Sequence, residues 1–285
     1  MPPLITNAIA ETRQAVFQAR QAGHVIGLVP TMGALHAGHV SLIRAARAET
    51  GFVVVSIFVN PAQFGPKEDY GRYPRPFDQD VKICATEGVD LIFHPEAETL
   101  YPPGYHTFVE VGEMQDVLCG ASRPGHFRGV ATIVLKLFNI VQPDLAYFGQ
   151  KDAQQARIIQ QMVGDLNLPL AIRVQPIVRE PDGLALSSRN QYLDANQRRQ
   201  AVVLYRSLEE VRVLVRGGER DAAKLIGSMK ARIASAAGAR LDYAAVVAFD
   251  TLKPLQRLHG EVLVALAVYF GATRLIDNLL LKVAD

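Results

Sequence analysis

Tryptophan is absent from these 285 residues, and cysteine occurs only twice. Cys84 and Cys119 lack the short spacing of a metal knuckle or a redox pair. Disulfide frameworks, zinc sites and thiol–disulfide chemistry are therefore excluded as organising principles, and reduced thiols in a cytosolic protein are expected. Charge of one sign is also missing. Thirty basic against 28 acidic residues leave a net charge of +2, which gives no bulk electrostatic reason to bind nucleic acid or membrane. Long hydrophobic runs are lacking too: stretches such as Val262 to Val268 fall far short of the roughly 20 residues a membrane helix needs. The start, Met1-Pro2-Pro3-Leu4-Ile5-Thr6, has no basic segment followed by an apolar one, so no export signal is expected there. No repeat or low-complexity segment interrupts the chain.

What is present is an alternating pattern. The length is near twice the roughly 150 residues of an average domain, which predicts one large and one smaller domain. Thr6 or Asn7 can cap a first helix, Gly23 can end it, and Val25 to Val29 reads as a buried strand. The unit recurs as a helix from about Gly38 to Thr50 and a strand from Phe52 to Val59. It recurs again as a helix Asp78–Glu87 and a strand Asp90–Phe93. A helix Val130–Val141, a strand Leu145–Phe148 and a helix Ala153–Leu166 follow. Strands apolar throughout, alternating with helices, predict a Rossmann-like parallel sheet covered on both faces. Beyond Pro176 the pattern changes. Two helical stretches around Gly217-Gly218 precede three strand-like runs, Leu241–Phe249, Glu261–Phe270 and Thr273–Leu281. This predicts a smaller α+β C-terminal domain, with a boundary at residues 175–185, drawn between 178 and 179.

In open parallel sheets ligands bind beyond the carboxyl ends of the strands, and the unusual residues cluster there. Val29-Pro30-Thr31-Met32-Gly33-Ala34-Leu35-His36-Ala37-Gly38-His39 joins a strand to a helix. Gly33 permits a close turn, and Gly38 would leave a phosphate room to reach the free amides at the positive end of the helix. His36 and His39 share one helical face and can donate to one phosphate. Asn60-Pro61-Ala62-Gln63 sets two amides in an apolar frame, which fits either a small polar pocket or an Asn-Pro turn. Lys67 to Pro76 is a polar, proline-punctuated loop, a lid or a solvated connection. Asp78 and Asp80 follow; acids in a first turn usually serve the helix dipole. Gly149-Gln150-Lys151-Asp152-Ala153-Gln154-Gln155 can bring a cation to phosphate oxygens. Leu186-Ser187-Ser188-Arg189-Asn190 sets hydroxyls beside a guanidinium near the domain boundary.

The first motif, His-x-Gly-His after a strand, resembles the signature of the nucleotidyltransferase superfamily shared with class I aminoacyl-tRNA synthetases. Pro-Thr-Met-Gly-x-Leu-His-x-Gly-His, Phe-Val-Asn-Pro-x-Gln-Phe, Phe-Gly-x-Lys-Asp-x-Gln-Gln and Ser-Ser-Arg-Asn, in order from residue 30 to 190, resemble the pantoate–β-alanine ligase family. That resemblance implies ATP-dependent joining of pantoate to β-alanine through a pantoyl adenylate. It implies ATP contacts from Met32, Gly33, Ala34, Leu35, His36, Ala37, Gly38, His39, Gly149, Gln150, Lys151, Asp152, Val178, Leu186, Ser187, Ser188 and Arg189. Among these, His39 would be the proton donor, His36 a second phosphate donor and Lys151 the neutralising cation. Gln63 and Gln155, with Asn60, would hold pantoate, and Gln63 would also touch β-alanine. The resemblance further implies Mg²⁺, with Asp80 as a ligand acting through the ATP phosphates. It also implies a cytoplasmic homodimer whose smaller domain closes over the ATP site. One departure is Gln150, where Glu would be equally familiar. Two other readings stay open: a relative that transfers AMP to a phosphate ester, and a non-catalytic nucleotide- or RNA-binding module.

Overall fold

Strands that are apolar throughout can hide both faces only if helices cover both sides of the sheet. The computed structural model, which describes residues 2–66 and 68–283, has that arrangement in its first half. Met1, Lys67, Ala284 and Asp285 lie outside the described residues. The elements begin with β1 (Leu4–Thr6), α1 (Ile9–Gln21), β2 (Ile26–Thr31), α2 (Ala37–Glu49), β3 (Phe52–Ile57), α3 (Phe77–Thr86) and β4 (Leu91–Phe93). Then come α4 (Ala97–Leu100), α5 (Cys119–Ser122), α6 (His126–Val141), β5 (Leu145–Gly149), α7 (Ala153–Asp165) and β6 (Ala171–Gln175). The chain finishes with α8 (Ala195–Ala201), α9 (Val203–Arg216), α10 (Ala222–Ala234), β7 (Ala239–Ala248), β8 (Gly260–Phe270) and β9 (Thr273–Val283).

Two units emerge. The first holds Met1–Gln115, Arg123–Gly149 and Ile158–Pro176; the second holds Asp116–Ser122, Gln150–Arg157 and Ile177–Asp285. A linear cut between 178 and 179 does not anticipate the two short segments that join the second unit.

In the first unit six parallel strands run in the order β1-β4-β3-β2-β5-β6. Val53, Val55 and Ile57 of β3 pack with Leu42, Ile43 and Ala46 of α2 in one buried cluster. The chain moves outward from β2 through β3 to β4, then returns to place β5 against the other side of β2. Strand order therefore reverses between β2 and β5, the position at which such sheets open a crevice for ligands. The two edge strands were not foreseen, because β1 has three residues and β6 is only half-buried. Neither Thr6 nor Asn7 caps α1. The helix begins after Ala8 without a side-chain cap, and the Thr6 hydroxyl instead meets that of Thr12 at 2.8 Å.

In the second unit β7-β8-β9 form an antiparallel sheet. Val262, Val264 and Leu266, alternate residues of β8, share a core with Leu208 and Val211 of α9 and Leu225, Met229 and Ile233 of α10. Leu263, Ala265 and Ala267, which alternate with them in sequence, are buried too, so β8 is covered on both faces. Both cysteines are buried and free, and burial pushes the Cys84 thiol up to about 12, so it is an inert packing residue. Among the described residues no helix is long and apolar enough to cross a membrane.

Two glycines give opposite predictions. A Cβ on Gly129 of α6 would lie 2.2 Å from the Ala62 carbonyl oxygen, so Gly129→Ala should cost about 1–3 kcal/mol through overpacking. Gly227, inside α10, has nothing within 4 Å of such a Cβ, so Gly227→Ala should add about 0.5–1 kcal/mol. Denaturant unfolding of both variants measures this; the same sign for both would contradict the packing described.

Candidate active site

The turn after β2 takes an unusual backbone path. Gly33 and Ala34 are consecutively left-handed, with φ of 80° and 51°. For Gly33 this costs little; for Ala34 it costs about 1 kcal/mol or more. Two side-chain groups hold the path. The Thr31 hydroxyl donates to the Ser56 carbonyl at 2.7 Å and accepts from Gly33 N–H at 3.1 Å. The Asp80 carboxylate accepts from Ala34 N–H at 2.9 Å and Leu35 N–H at 2.8 Å. Asp80 is 1% exposed, and a Cβ on Gly33 would lie 2.9 Å from its Oδ2. Burial drives the Asp80 carboxyl above the usual carboxylate range, while the two amides pull it back.

The same turn delivers both histidines to the start of α2. His36 Nδ1 accepts from Gly38 N–H at 3.1 Å, and His39 Nδ1 accepts from His36 N–H at 3.3 Å, a reciprocal capping box made of imidazoles. The rings lie 4.2 Å apart between centroids. A ring nitrogen that accepts carries no proton, so each neutral imidazole is protonated at Nε2 and presents that N–H as a donor. Gly38 works differently from the expectation. A Cβ there would lie 2.8 Å from His36 Cε1, so its smallness makes room for the ring, and its amide is already taken by His36.

After β3, Pro61–Gln63 forms a single 3₁₀ turn capped by Asn60. Asn60 is 1% exposed and saturated: Oδ1 accepts from Ala62 N–H and Tyr101 O–H, while Nδ2 donates to Gln63 Oε1 and the Gly129 carbonyl. Its hydrogen-bonding capacity is spent inside the fold, so Asn60 positions Gln63 and has no group left for a substrate. The Gln63 side-chain amide lies 3.2 Å from Met32 Sδ, which brings two of the predicted residues together.

Behind Gln63 lies a cluster that motif reading missed. The Gln63 carbonyl accepts from His126 Nδ1 at 2.8 Å. His126 Nε2 faces Arg123 Nη1 at 3.0 Å, and a guanidinium can only donate, so the His126 proton sits on Nδ1. Arg123 in turn forks onto Glu68 at 2.7 and 2.6 Å. Burial alone would raise the Glu68 carboxyl, but the Arg123 contacts outweigh it and hold it below the usual range. Arg-Pro-Gly-His just before α6 was the available signal. In the polar loop, Lys67 is outside the described residues. Tyr70–Arg72 is a 3₁₀ turn, and the Phe64 ring lies 5.4 Å from Tyr70 and 6.1 Å from Tyr73.

The other predicted residues belong mainly to the second unit. β5 ends at Gly149 and leads straight into the turn Gln150–Asp152, where Lys151 Nζ is 3.6 Å from Asp152 Oδ2. Gln154 is structural: its side chain accepts from Cys119 N–H and donates to the Val117 carbonyl. Gln155 is half-buried. Leu186 N–H donates to the Val178 carbonyl, and the Ser187 hydroxyl caps the turn Ser188–Tyr192 by accepting from Arg189 N–H at 3.2 Å.

Asp80 offers little access to a metal: it is 1% exposed, and each oxygen already accepts an amide of the turn. Among the described residues no group of three or more His, Cys, Asp or Glu could hold a metal ion. A stability test follows: Asp80→Ala strands two amides and should cost about 1–3 kcal/mol in denaturant unfolding. An unchanged midpoint would contradict the role assigned to it.

With this geometry in place, comparison with known proteins is informative. The model of the family described as pantoate–β-alanine ligase matches residues 4–280. The pantothenate synthetase of Moorella thermoacetica is 56% identical over 281 residues, 99% of each chain. That of Pelotomaculum thermopropionicum is 54% identical over 98% of this chain and 99% of its own. The crystal structure of pantothenate synthetase from Thermus thermophilus superposes with a TM-score of 0.92 at 45% identity, covering 97% of this chain and 98% of that one. The Francisella tularensis pantoate–β-alanine ligase, complexed with β,γ-ATP and β-alanine, gives 0.80 at 37% identity, covering 98% and 97%. Matched along nearly its whole length, this chain belongs to the pantoate–β-alanine ligase family.

Proposed function

We propose that this protein condenses pantoate with β-alanine, using ATP, to give pantothenate, AMP and pyrophosphate. One observation carries the reading: a reciprocal cap of two imidazoles, each accepting at Nδ1, at the start of α2, directly after the strand where sheet order reverses. The nearly full-length family match supports it. So does the Francisella tularensis relative, described as complexed with β,γ-ATP and β-alanine.

In the first step a pantoate carboxylate oxygen attacks the α-phosphorus, and the bond from that phosphorus to the bridging oxygen of pyrophosphate breaks. The pentavalent α-phosphate gathers negative charge, and donors already aimed at it lower the barrier without rearranging. His36 and His39 supply those donors, and Lys151 balances charge on the departing pyrophosphate. In the second step the neutral amine of β-alanine attacks the acyl carbon; the bond from that carbon to the oxygen bridging to phosphorus breaks, AMP leaves with that oxygen, and the nitrogen loses a proton. Both nucleophiles come from substrates, so the protein's work is positioning and charge stabilisation. Gln63 and Gln155 orient pantoate, while Asn60 acts through Gln63. Gly149–Asp152, Val178 and Leu186–Arg189 hold ATP. Mg²⁺ would enter on the ATP phosphates rather than through a protein cage. The family resemblance adds a cytoplasmic homodimer whose smaller domain closes over ATP; light scattering at twice 31.2 kDa would agree with the dimer, and at 31.2 kDa would oppose it.

Incubation with ATP, pantoate and β-alanine should yield pantothenate, AMP and pyrophosphate in equal amounts by mass spectrometry. Pyrophosphate without AMP would instead indicate simple adenylyl transfer. His39→Ala and Lys151→Ala should each slow pantoate-dependent pyrophosphate release by about 10²–10³-fold while the proteins stay folded. Near-normal rates would refute their roles.

A further inference from the structure

The C-terminal strand carries two buried polar residues that no active-site motif includes. Asp277 and Asn278 of β9 are 2% and 4% exposed. As neighbours on a strand they face opposite sides of the sheet. Asp277 shares its side with Leu275 and Leu279, which lie in the core formed with α9 and α10. There it accepts a two-pronged contact from Arg179, at 2.6 and 2.9 Å, and Asn278 N–H at 2.8 Å. Arg179 also donates to the Gly183 carbonyl at 3.0 Å and lies over the Tyr205 ring. It sits in a small hairpin, bridged at Arg179 and Ala185, that runs directly into Leu186–Arg189. On the opposite side Asn278 Nδ2 donates to the carbonyls of both Gln150 and Lys151 at 2.9 Å, and Oδ1 accepts from Gln150 Nε2 at 3.3 Å.

We propose that Asp277 and Asn278 are positioning residues for adenylation, tying the Lys151 turn and the root of the Leu186–Arg189 segment to one strand. Asn278 fixes the backbone from which the Lys151 ammonium projects. Asp277 fixes, through Arg179, the hairpin that aims the Ser-Ser-Arg segment. The two segments to which the proposed function assigns phosphate contacts thus share a single rigid support, and the inference rests on that assignment. A side chain on a flexible stem is only as well placed as its backbone, and misplacement by about 1 Å can cost 10²-fold in rate.

The test uses Asn278→Ala and the similarly sized Asn278→Leu in the full chain, with single-turnover pyrophosphate release, KM for ATP and for pantoate, and unfolding midpoint. The expected result is release slowed about 10- to 100-fold with an unchanged KM for pantoate. The loss should largely disappear when Asn278→Ala is added to Lys151→Ala, because residues acting through one another are not additive. Arg179→Lys, which keeps the charge but loses the planar fork, provides an independent variant should the Asn278 variants fail to fold, and it should slow release in the same way. Parental rates in folded variants, or a full multiplicative loss in the Lys151→Ala background, would overturn the proposal. A parent protein with no pantoate-dependent pyrophosphate release would instead refute the functional reading itself.

Discussion

The buried carboxylate of Asp80 is the constraint on which the first half of the site depends. Two consecutive left-handed residues at Gly33 and Ala34 are an unfavourable way to leave a strand. The path persists because Asp80 accepts the amides of Ala34 and Leu35 from the far side of the turn. That path brings His36 to the cap position of α2, and the cap geometry then sets both ring tautomers. The placement of both imidazoles therefore follows from a carboxylate that lies 45 residues beyond Leu35 in the chain.

The same design recurs around Gln63. Its 3₁₀ turn is held from inside by Asn60 and Tyr101, and from α6 by the Gly129 carbonyl and by His126. Gly129 is small because the Ala62 carbonyl occupies the place of its side chain. In each case a candidate site residue stands on a buried polar group that is hydrogen-bonded within the fold, the condition under which such groups rigidify it. Removing one member of a buried pair leaves the other unpaired, so these supports resist piecemeal change.

Much of the architecture was legible because it is written locally. Alternating apolar runs and helix signals located β2, α2, β3, α3, β4, α6, β5 and α7, and the motifs fall where strands end. The edge strands β1 and β6 escaped notice, being short or half-exposed and so lacking the apolar run that marks a central strand. The supporting residues escaped for a different reason. Glu68 meets Arg123, and Asp277 meets Arg179, across 55 and 98 residues, and no periodicity encodes such pairings. Asp80 and Asn60 stand out in the sequence by residue type, which fits a metal ligand and a substrate contact. What residue type does not reveal is the set of partners each already has inside the fold.

The central claim is that the acid is activated at the α-phosphate of ATP. The most direct measurement follows a heavy-oxygen label placed in the pantoate carboxylate through one complete reaction. One labelled oxygen should appear in AMP and the other should stay in the product amide, with pyrophosphate unlabelled. Label in pyrophosphate or inorganic phosphate, or AMP free of label, would contradict the account.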